Sequence, residues 1–280
     1  MPSARATATS TGDVVQSLRV GHLTRSYRLA VPTRYRSSRA TPLILLFHGS
    51  GSNALQTSIY TQMPTRAARD GYLVATADGR AGRWQLSAPG AATDDLAFVS
   101  ALIANLSSRY CVDRSRVYAA GISLGSEFSA IAGCTPREHI AAIGLVAAEF
   151  LLRPCAGPLP VIAFHGTADP IVAYRPGATG AALPGVPVVG VEQNLVHWAQ
   201  LDRCTSGPRL RQVASMVVRR TWSGCARGSA VVLYSVLGGG HTWPGSPVIL
   251  SAGTFGATTE QVDATGLMLA FFDRHRRVPR

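Results

Sequence analysis

The chain has 280 residues, of which 46% are hydrophobic and 15% are charged. These proportions exclude a disordered chain and are typical of a folded protein with a substantial core. The net charge is +12, and every one of the 27 basic residues is arginine. The arginines are scattered in ones and twos, apart from a small cluster at the C-terminus, so we expect no nucleic-acid partner. A weak preference for anionic polymer surfaces stays open.

The cysteines bear on the compartment in which the chain works. There are five, none of them in a Cys-x-x-Cys pair or at zinc-finger spacing: Cys111, Cys134, Cys155, Cys204 and Cys225. Spaced cysteines without a metal pattern favour a secreted protein with disulfides, and buried free thiols in a cytosolic enzyme are the alternative. Cys204 and Cys225 flank a predicted helix-to-strand excursion and could close a loop of about twenty residues.

The first elements in chain order are a lead-in and two strands. Residues 1–12 are small and polar, and this composition predicts a disordered segment. The segment lacks the apolar core of a signal peptide. Segments 14–20 and 25–31 follow as short strands, and the second alternates polar and apolar residues. No apolar run approaches the roughly 18 residues that a membrane-spanning helix needs, so we expect no membrane span.

From residue 43 onward, short apolar runs alternate with stretches of helical periodicity. The runs that predict buried strands are 43–47, 72–77, 117–120, 140–147, 161–164 and 231–236. The stretches that predict helices are 57–69, 93–110, 124–133, 191–201 and 259–274. This alternation predicts an α/β fold with a mostly parallel central sheet and helices on both faces. No internal repeat or linker interrupts it, so residues 13–280 are expected to form a single domain.

A serine elbow follows the predicted strand 117–120. The segment Gly121-Ile122-Ser123-Leu124-Gly125 is a G-x-S-x-G motif between a strand and a helix, which is the context that this motif requires. The glycines permit a sharp turn, and the turn holds Ser123 at the head of the helix. Ser123 is therefore the predicted nucleophile.

The acid and the base of a catalytic triad follow in the expected chain order. Asp169 lies in His165-Gly166-Thr167-Ala168-Asp169-Pro170 after one strand, and His241 lies in a glycine-rich turn after another. We predict Asp169 as the acid and His241 as the base of an α/β-hydrolase. Two rival carboxylates, Asp202 and Asp263, lie on predicted helices and are interpreted as solvated surface charges. His165 is interpreted as structural.

Further residues complete the predicted site. The segment His48-Gly49-Ser50-Gly51 follows the first buried strand, so we assign the oxyanion hole to the backbone amides of Ser50 and Leu124. His48 is interpreted as a brace for this loop. Three aromatic residues on loops at the predicted rim of the site are assigned to substrate binding: Trp84, Tyr174 and Trp243. The loop 177–190 shows no helical lid pattern, which predicts an open cleft.

Several segments together resemble the poly(3-hydroxybutyrate) depolymerase family of secreted esterases, which is similar to the feruloyl and acetylxylan esterases of carbohydrate esterase family one. They are Arg25-Ser26-Tyr27-Arg28-Leu29, LILLFHGSGSN, DDLAFVSALI, CVDRSRVYAAGIS, VIAFHGTADPIVAY and GGGHTWPG. The resemblance runs from about residue 19 to the C-terminus. Two stretches depart from the family pattern: Leu124-Gly125-Ser126 stands where members often carry Asn-Gly-Gly, and Ala147-Ala148-Glu149-Phe150 where they often show Val-Ala-Gly.

The resemblance implies a secreted serine esterase with the triad Ser123, Asp169 and His241. It also implies a disulfide between Cys204 and Cys225 and a second one among the other three cysteines. The expected partner is an ester substrate, polymeric or carried on a polysaccharide, and no metal or organic cofactor is implied. We expect a monomer whose signal peptide has been removed. A thioesterase, a peptidase and a non-catalytic binding protein on the same fold remain alternatives.

Overall fold

The computed structural model describes residues 13–86, 94–135, 139–151, 155, 157–176 and 189–277. The predicted lead-in 1–12 and nearly all of the loop 177–190 lie outside the described residues. Ten strands of the described chain form one sheet. They are β1 (Val14–Val20), β2 (Leu23–Ala30), β3 (Thr41–Phe47), β4 (Leu73–Ala77), β5 (Val112–Ile122), β6 (Ala142–Val146), β7 (Val161–Gly166), β8 (Ser206–Ala214), β9 (Val217–Ser223) and β10 (Val231–Val236).

The centre of the sheet is parallel, as predicted. The strand order is β1-β2-β4-β3-β5-β6-β7-β10-β9-β8, and every neighbouring pair from β4 to β10 is parallel. The pairs at the two edges are antiparallel. Because parallel strands end at the same edge of a sheet, the loops after β3, β5, β7 and β10 meet there. That edge collects the predicted site residues.

Seven α-helices lie within the described chain, and they cover both faces of the sheet. They are α1 (Ala54–Thr61), α2 (Met63–Arg69), α3 (Asp94–Arg109), α4 (Leu124–Cys134), α5 (Val191–Leu201), α6 (Ala252–Phe255) and α7 (Ala264–Phe272). One core cluster packs β3 residues such as Leu43 and Phe47 against α3, α4 and α5. The other packs Ile44 and Leu46 against α2 and α7. The alternation of side chains along β3 therefore feeds two apolar layers, and helices on both faces are confirmed.

Two predicted helices differ in their bounds. The predicted helix 57–69 is two helices, because Gln62 adopts a left-handed conformation with φ 54° and Pro64 opens the second helix. The predicted helix 259–274 begins only at Ala264, where the Asp263 side chain accepts a hydrogen bond from the Gly266 amide as an N-cap. Both differences arise from local capping that the hydrophobic period does not reveal.

The region between α5 and β10 corrects the prediction of uninterrupted strand and helix alternation. Residues 206–223 form the antiparallel hairpin β8–β9, which extends the sheet beyond β10. Nearly every residue of β8 is exposed, so this strand lacks the buried apolar run on which the strand predictions relied. An edge strand with polar side chains gives no such pattern.

The described cysteines form two disulfides. Cys204 and Cys225 are joined, as the family resemblance implies, and the second bridge joins Cys134 and Cys155. Cys111 is free and partly buried. None of the helices in the described chain is both long and apolar enough to cross a membrane.

The prediction that Asp202 is a solvated surface charge is wrong. Its side chain is fully buried at the end of α5, where it accepts hydrogen bonds from the Leu159 amide and the Ser229 hydroxyl. Burial raises the pKa of Asp202 to about 6. The carboxyl group thus ties the start of β7 to the chain before β10, which helical periodicity alone cannot show. Asp263 is about half exposed and pairs with Arg66.

Candidate active site

The serine elbow joins β5 to α4 in a strained turn. Ser123 has φ 55° and ψ −125°, a conformation that side-chain-bearing residues rarely adopt. The turn is held because the Ser123 amide donates to the Val146 carbonyl at 2.8 Å and the Ser123 carbonyl accepts from the amides of Ser126 and Glu127. Ser123 is partly exposed at the head of α4. The strain is therefore confined to the one residue whose hydroxyl the turn presents.

The flanking glycines of the motif are required by close backbone contacts. A Cβ on Gly121 would collide with the carbonyl of Gly125, and a Cβ on Gly125 would collide with the carbonyls of Phe47 and His48. The end of β3 thus packs directly against the first turn of α4. This contact brings the loop after β3 close to Ser123.

Asp169 and His241 are hydrogen-bonded to each other. Asp169 Oδ2 lies 2.8 Å from His241 Nδ1. The other oxygen, Oδ1, accepts from the backbone amides of Ile171 and Val172, each at 2.8 Å. Both carboxylate oxygens therefore have fixed partners, and Asp169 is almost completely buried. The carboxylate holds the imidazole of His241 in one orientation.

A second histidine contacts the same carboxylate. His165 Nε2 lies 3.3 Å from Asp169 Oδ2 and 2.9 Å from the Val172 carbonyl, while its Nδ1 lies 2.7 Å from Glu149 Oε2. Both side chains of this His165–Glu149 pair are fully buried. Because a carbonyl can only accept, Nε2 must carry a proton, and Nδ1 faces a carboxylate. The side chains Glu149, His165, Asp169 and His241 thus form one continuous chain of hydrogen bonds and ion pairs.

The charges in this chain follow from burial and partners. Burial opposes a charged imidazole, but the Glu149 carboxylate and the contact with Asp169 raise the pKa of His165 to about 10. Burial also acts to raise the pKa of Asp169, but hydrogen bonds from His165 and His241 hold it well below its ordinary value. Asp169 is therefore ionised at neutral pH.

Neither Glu149 nor the contact of His165 with Asp169 was anticipated from the sequence. His165 was interpreted as structural, and Glu149 was noted only as a departure from the family pattern. The signal that points to them is that departure itself, an acidic residue placed directly after a buried strand. Pairing it with His165 requires knowledge of how β6 and β7 lie side by side.

A cavity of about 540 Å³ opens at this edge of the sheet. Ser123 and His241 both line it, together with Ser50 and Gly49 from the loop after β3. Gly51, Ser52, Gln56 and Thr57 also line it, and the remaining wall is mainly apolar, with Ile59, Tyr60, Ile122, Ile171, Val248, Leu250 and Phe255. Burial raises the pKa of Tyr60 to about 12, so it presents a neutral phenol. No group of three His, Cys, Asp or Glu side chains in the described chain is arranged to hold a metal ion.

The two amides assigned to the oxyanion hole flank Ser123. Ser50 lines the cavity, and Leu124 is the first residue of α4. Neither amide donates to a protein acceptor within the described part of the chain. The loop that carries Ser50 is fixed by His48, whose Nδ1 donates to the Gly49 carbonyl at 2.7 Å and whose Nε2 accepts from the Gly79 amide at 2.9 Å. Burial lowers the pKa of His48, so this bracing ring is neutral.

The three aromatic residues assigned to substrate binding are buried in the protein interior instead of lining the rim. Trp84 stacks on Phe128 and donates its indole N–H to the His48 carbonyl. Tyr174 lies against Ser235 and Trp243 donates to Thr265, and both are less than one-tenth exposed. Each has a hydrogen-bond partner that lets a polar aromatic ring be buried. The prediction overlooked the fact that loop residues can pack inward.

Comparisons with known proteins agree with this architecture. The family profile described as "Esterase PHB depolymerase" matches residues 25–220. Feruloyl esterase B of Piromyces equi is 30% identical over 223 residues, and the match spans 75% of this chain but only 41% of the Piromyces protein. The putative esterase NocK of Nocardia uniformis subsp. tsuyamanensis is 29% identical over 275 residues, covering 89% of this chain and 79% of NocK.

Solved structures extend the comparison to the fold. Acetyl xylan esterase from Aspergillus awamori superposes with a TM-score of 0.58 at 14% sequence identity, over 82% of this chain and 94% of that one. The sheet topology and this likeness show an α/β-hydrolase fold. The chain belongs to the PHB depolymerase family of esterases, as the sequence resemblance indicated.

Proposed function

We propose that the chain is a serine esterase in which Ser123 is the nucleophile, His241 the base and Asp169 the acid. The observation that carries the proposal is the hydrogen bond between His241 Nδ1 and Asp169 Oδ2, at the wall of the cavity that Ser123 also lines. An ionised Asp169 directs the Nδ1 proton toward itself. The lone pair of His241 Nε2 is then free to face the serine hydroxyl.

The reaction proceeds through an acyl-enzyme. His241 Nε2 takes the proton of the Ser123 hydroxyl as its oxygen attacks the ester carbonyl, and the amides of Ser50 and Leu124 stabilise the resulting oxyanion. His241 then gives the proton to the leaving alcohol. Water then attacks the acyl carbonyl and loses a proton to His241, and His241 returns that proton to the Ser123 oxygen as the bond to the acid breaks. Asp169 stabilises the charged imidazole in both steps.

The cavity favours esters of apolar acids that are larger than acetate. Its volume of about 540 Å³ exceeds the needs of an acetyl group, and its wall carries apolar side chains such as Ile171 and Phe255. Among the described residues that line the cavity, only His241 and Tyr60 are ionisable. The described lining of the cavity therefore has no arginine or lysine to pair with a charged acyl chain. Feruloyl esters and hydroxyalkanoate polyesters both fit this description, and similarity to a feruloyl esterase favours the first.

The protein is proposed to be secreted, because it has two disulfides and such bonds persist in oxidising compartments. It is also proposed to be a monomer. Thioesters and amides are the alternative substrates for the same constellation, and the experiment below includes both.

The decisive experiment measures kcat/KM for wild type and Ser123→Ala on p-nitrophenyl esters of increasing acyl length, methyl ferulate, a poly(3-hydroxybutyrate) suspension, a thioester and an amide. We expect a loss of about 10⁴-fold or more in Ser123→Ala and wild-type preference for methyl ferulate over acetate. Ser108→Ala, at an exposed serine of α3, is the control and should keep full activity. A fluorophosphonate probe should label wild type but not Ser123→Ala. Undiminished turnover by Ser123→Ala contradicts the proposal.

A further inference from the structure

Three arginines share one face of the β8–β9 hairpin. Arg211 on β8 is the register partner of Arg219 on β9, and Arg209 is the partner of Thr221. Side chains of partnered and of alternate residues point to the same side of a sheet, so the three guanidinium groups are neighbours. Together with Ser223 these residues line a shallow depression of about 260 Å³. We call this surface, Arg209, Arg211, Arg219, Thr221 and Ser223, the arginine face.

The arrangement works against stability in the free protein. Like charges directly opposite each other on a sheet are destabilising. In the described chain, none of the three side chains makes an ion pair or a hydrogen bond, and the Nε atom of Arg219 is buried without an acceptor. The neighbouring Arg220 points to the other side, where it pairs with Glu192 at 2.7 Å and donates to Ser235 at 2.8 Å. The hairpin thus neutralises the arginine that faces α5 and leaves three others without counter-charges.

The arginine face begins near the edge of the sheet that carries the active-site loops. β9 runs antiparallel to β10, and Val217 at its start pairs with Val236 at the end of β10, the strand that leads to His241. Arg219 lies two residues further along β9. From there the face runs along the exposed strand β8, which is the last strand of the sheet in the part of the chain that the structure describes. An extended chain has room to lie along it.

We propose that the arginine face binds a polysaccharide whose sugars carry carboxylate groups. Guanidinium groups bind carboxylates through paired hydrogen bonds, and the hydroxyls of Thr221 and Ser223 suit sugar hydroxyls. Arginines two residues apart on a strand are about 7 Å from each other, so one polymer chain can meet several of them. The choice of a polysaccharide rests on the proposed esterase function and on the polysaccharide-borne esters that the family resemblance implies. No aromatic side chain lines the face within the described chain, so the stacking platform typical of single-stranded nucleic-acid sites is missing.

The test measures binding to polygalacturonate by affinity electrophoresis and by salt-dependent sedimentation. The variant is Arg209→Gln/Arg211→Gln/Arg219→Gln. The matched control is Arg34→Gln/Arg36→Gln/Arg39→Gln, which removes the same charge from exposed positions in the loop between β2 and β3. Fully methyl-esterified polygalacturonate supplies the same backbone without charge, and double-stranded DNA supplies a polyanion of another class.

We expect wild type and the control to bind polygalacturonate, the hairpin variant to bind at least tenfold more weakly, and no protein to bind the esterified polymer. Equal losses in the two triple variants would mean that net charge alone acts, and this overturns the proposal. Tighter binding to DNA than to polygalacturonate at equal charge and salt also overturns it. Turnover of p-nitrophenyl esters is measured in parallel and should be unchanged in both variants. A failed serine-esterase proposal therefore shows in turnover, whereas a failed docking proposal shows only in binding.

Discussion

Asp169 and Glu127 are buried carboxyl groups in two neighbouring regions, the loop after β7 and the first turn of α4, and their environments are opposite. Asp169 has four hydrogen-bonding or ionic partners shared between its two oxygens, and its pKa lies well below the ordinary value. Glu127 is 5% exposed, and its Oε2 atom is buried with no hydrogen-bond partner among the described residues. Burial, with the charge of Glu149, raises the pKa of Glu127 to about 8.

The difference teaches that burial alone does not set the charge of a carboxyl group. Desolvation raises the pKa of both groups, and only the donors around Asp169 reverse its effect. The Asp169 carboxylate contacts two backbone amides of its own loop and the imidazoles of His165 and His241, whereas the first turn of α4 gives the Glu127 side chain no donor. A buried carboxyl group therefore stays ionised at neutral pH only when hydrogen-bond donors or positive charges surround it.

The largest expected effect comes from removing the charge of Asp169. Asp169→Asn keeps the shape but can donate its amide N–H to His241 Nδ1, which favours the tautomer whose Nε2 no longer accepts the serine proton. We expect kcat to fall by about 10⁴-fold, as for comparable triads. Asp263→Asn is the control, because Asp263 caps α7 and is not among the residues that line the cavity, so kcat should be unchanged. A loss of less than tenfold in Asp169→Asn would show that His241 does not depend on this carboxylate.

A smaller effect is expected from Glu149→Gln, which tests how the second histidine acts on Asp169. Without the Glu149 carboxylate, His165 loses the partner that keeps it charged, and a neutral His165 competes less for the negative charge of Asp169. The protonated form of the catalytic base is then favoured. We expect the acidic limb of the pH profile of kcat/KM to move upward by about half to one pH unit, with the plateau reduced less than tenfold.

The control for Glu149→Gln is Asp202→Asn. Asp202 is also a fully buried carboxyl group with hydrogen-bonded partners, but it lies at the other end of β7. Its substitution should lower the free energy of unfolding without moving the acidic limb. An acidic limb that stays in place in folded Glu149→Gln would reduce the His165–Glu149 pair to a packing role.

The two regions also differ in how far they could be predicted from the sequence. The elbow around Ser123 is encoded within five residues, because close backbone contacts require glycine at both flanks. Asp169 and His241 could be proposed as acid and base because each follows a buried strand in the expected chain order. The Glu149–His165 contact joins the loop after β6 to the end of β7, and the inward packing of Trp84 depends on Phe128 from α4. Such contacts are set by tertiary structure and leave no local pattern.

The same reasoning separates the fold into predictable and unpredictable parts. The central strands were predicted because burial on both faces imposes continuous apolar runs. The hairpin β8–β9 was missed because an exposed edge strand has no such constraint. Scattered arginines likewise gave no sign that three of them share one face, since the register between two strands decides which residues are neighbours.

Glu127→Gln is expected to change turnover least and to change the pH dependence of stability. In the folded state Glu127 holds its proton up to a pKa of about 8, whereas in the unfolded state it loses the proton near its ordinary value. Between these values the folded state binds more protons, so wild type loses stability as pH rises. A glutamine does not titrate. The free energy of unfolding of the variant, relative to that of wild type, should therefore rise between pH 5 and pH 8 by on the order of 3 kcal/mol. Urea unfolding at the two pH values measures this gain, with Glu260→Gln, an exposed carboxylate, as the control. An equal difference between variant and wild type at both pH values would mean that Glu127 is already ionised at pH 5, and that the contrast with Asp169 is one of position only.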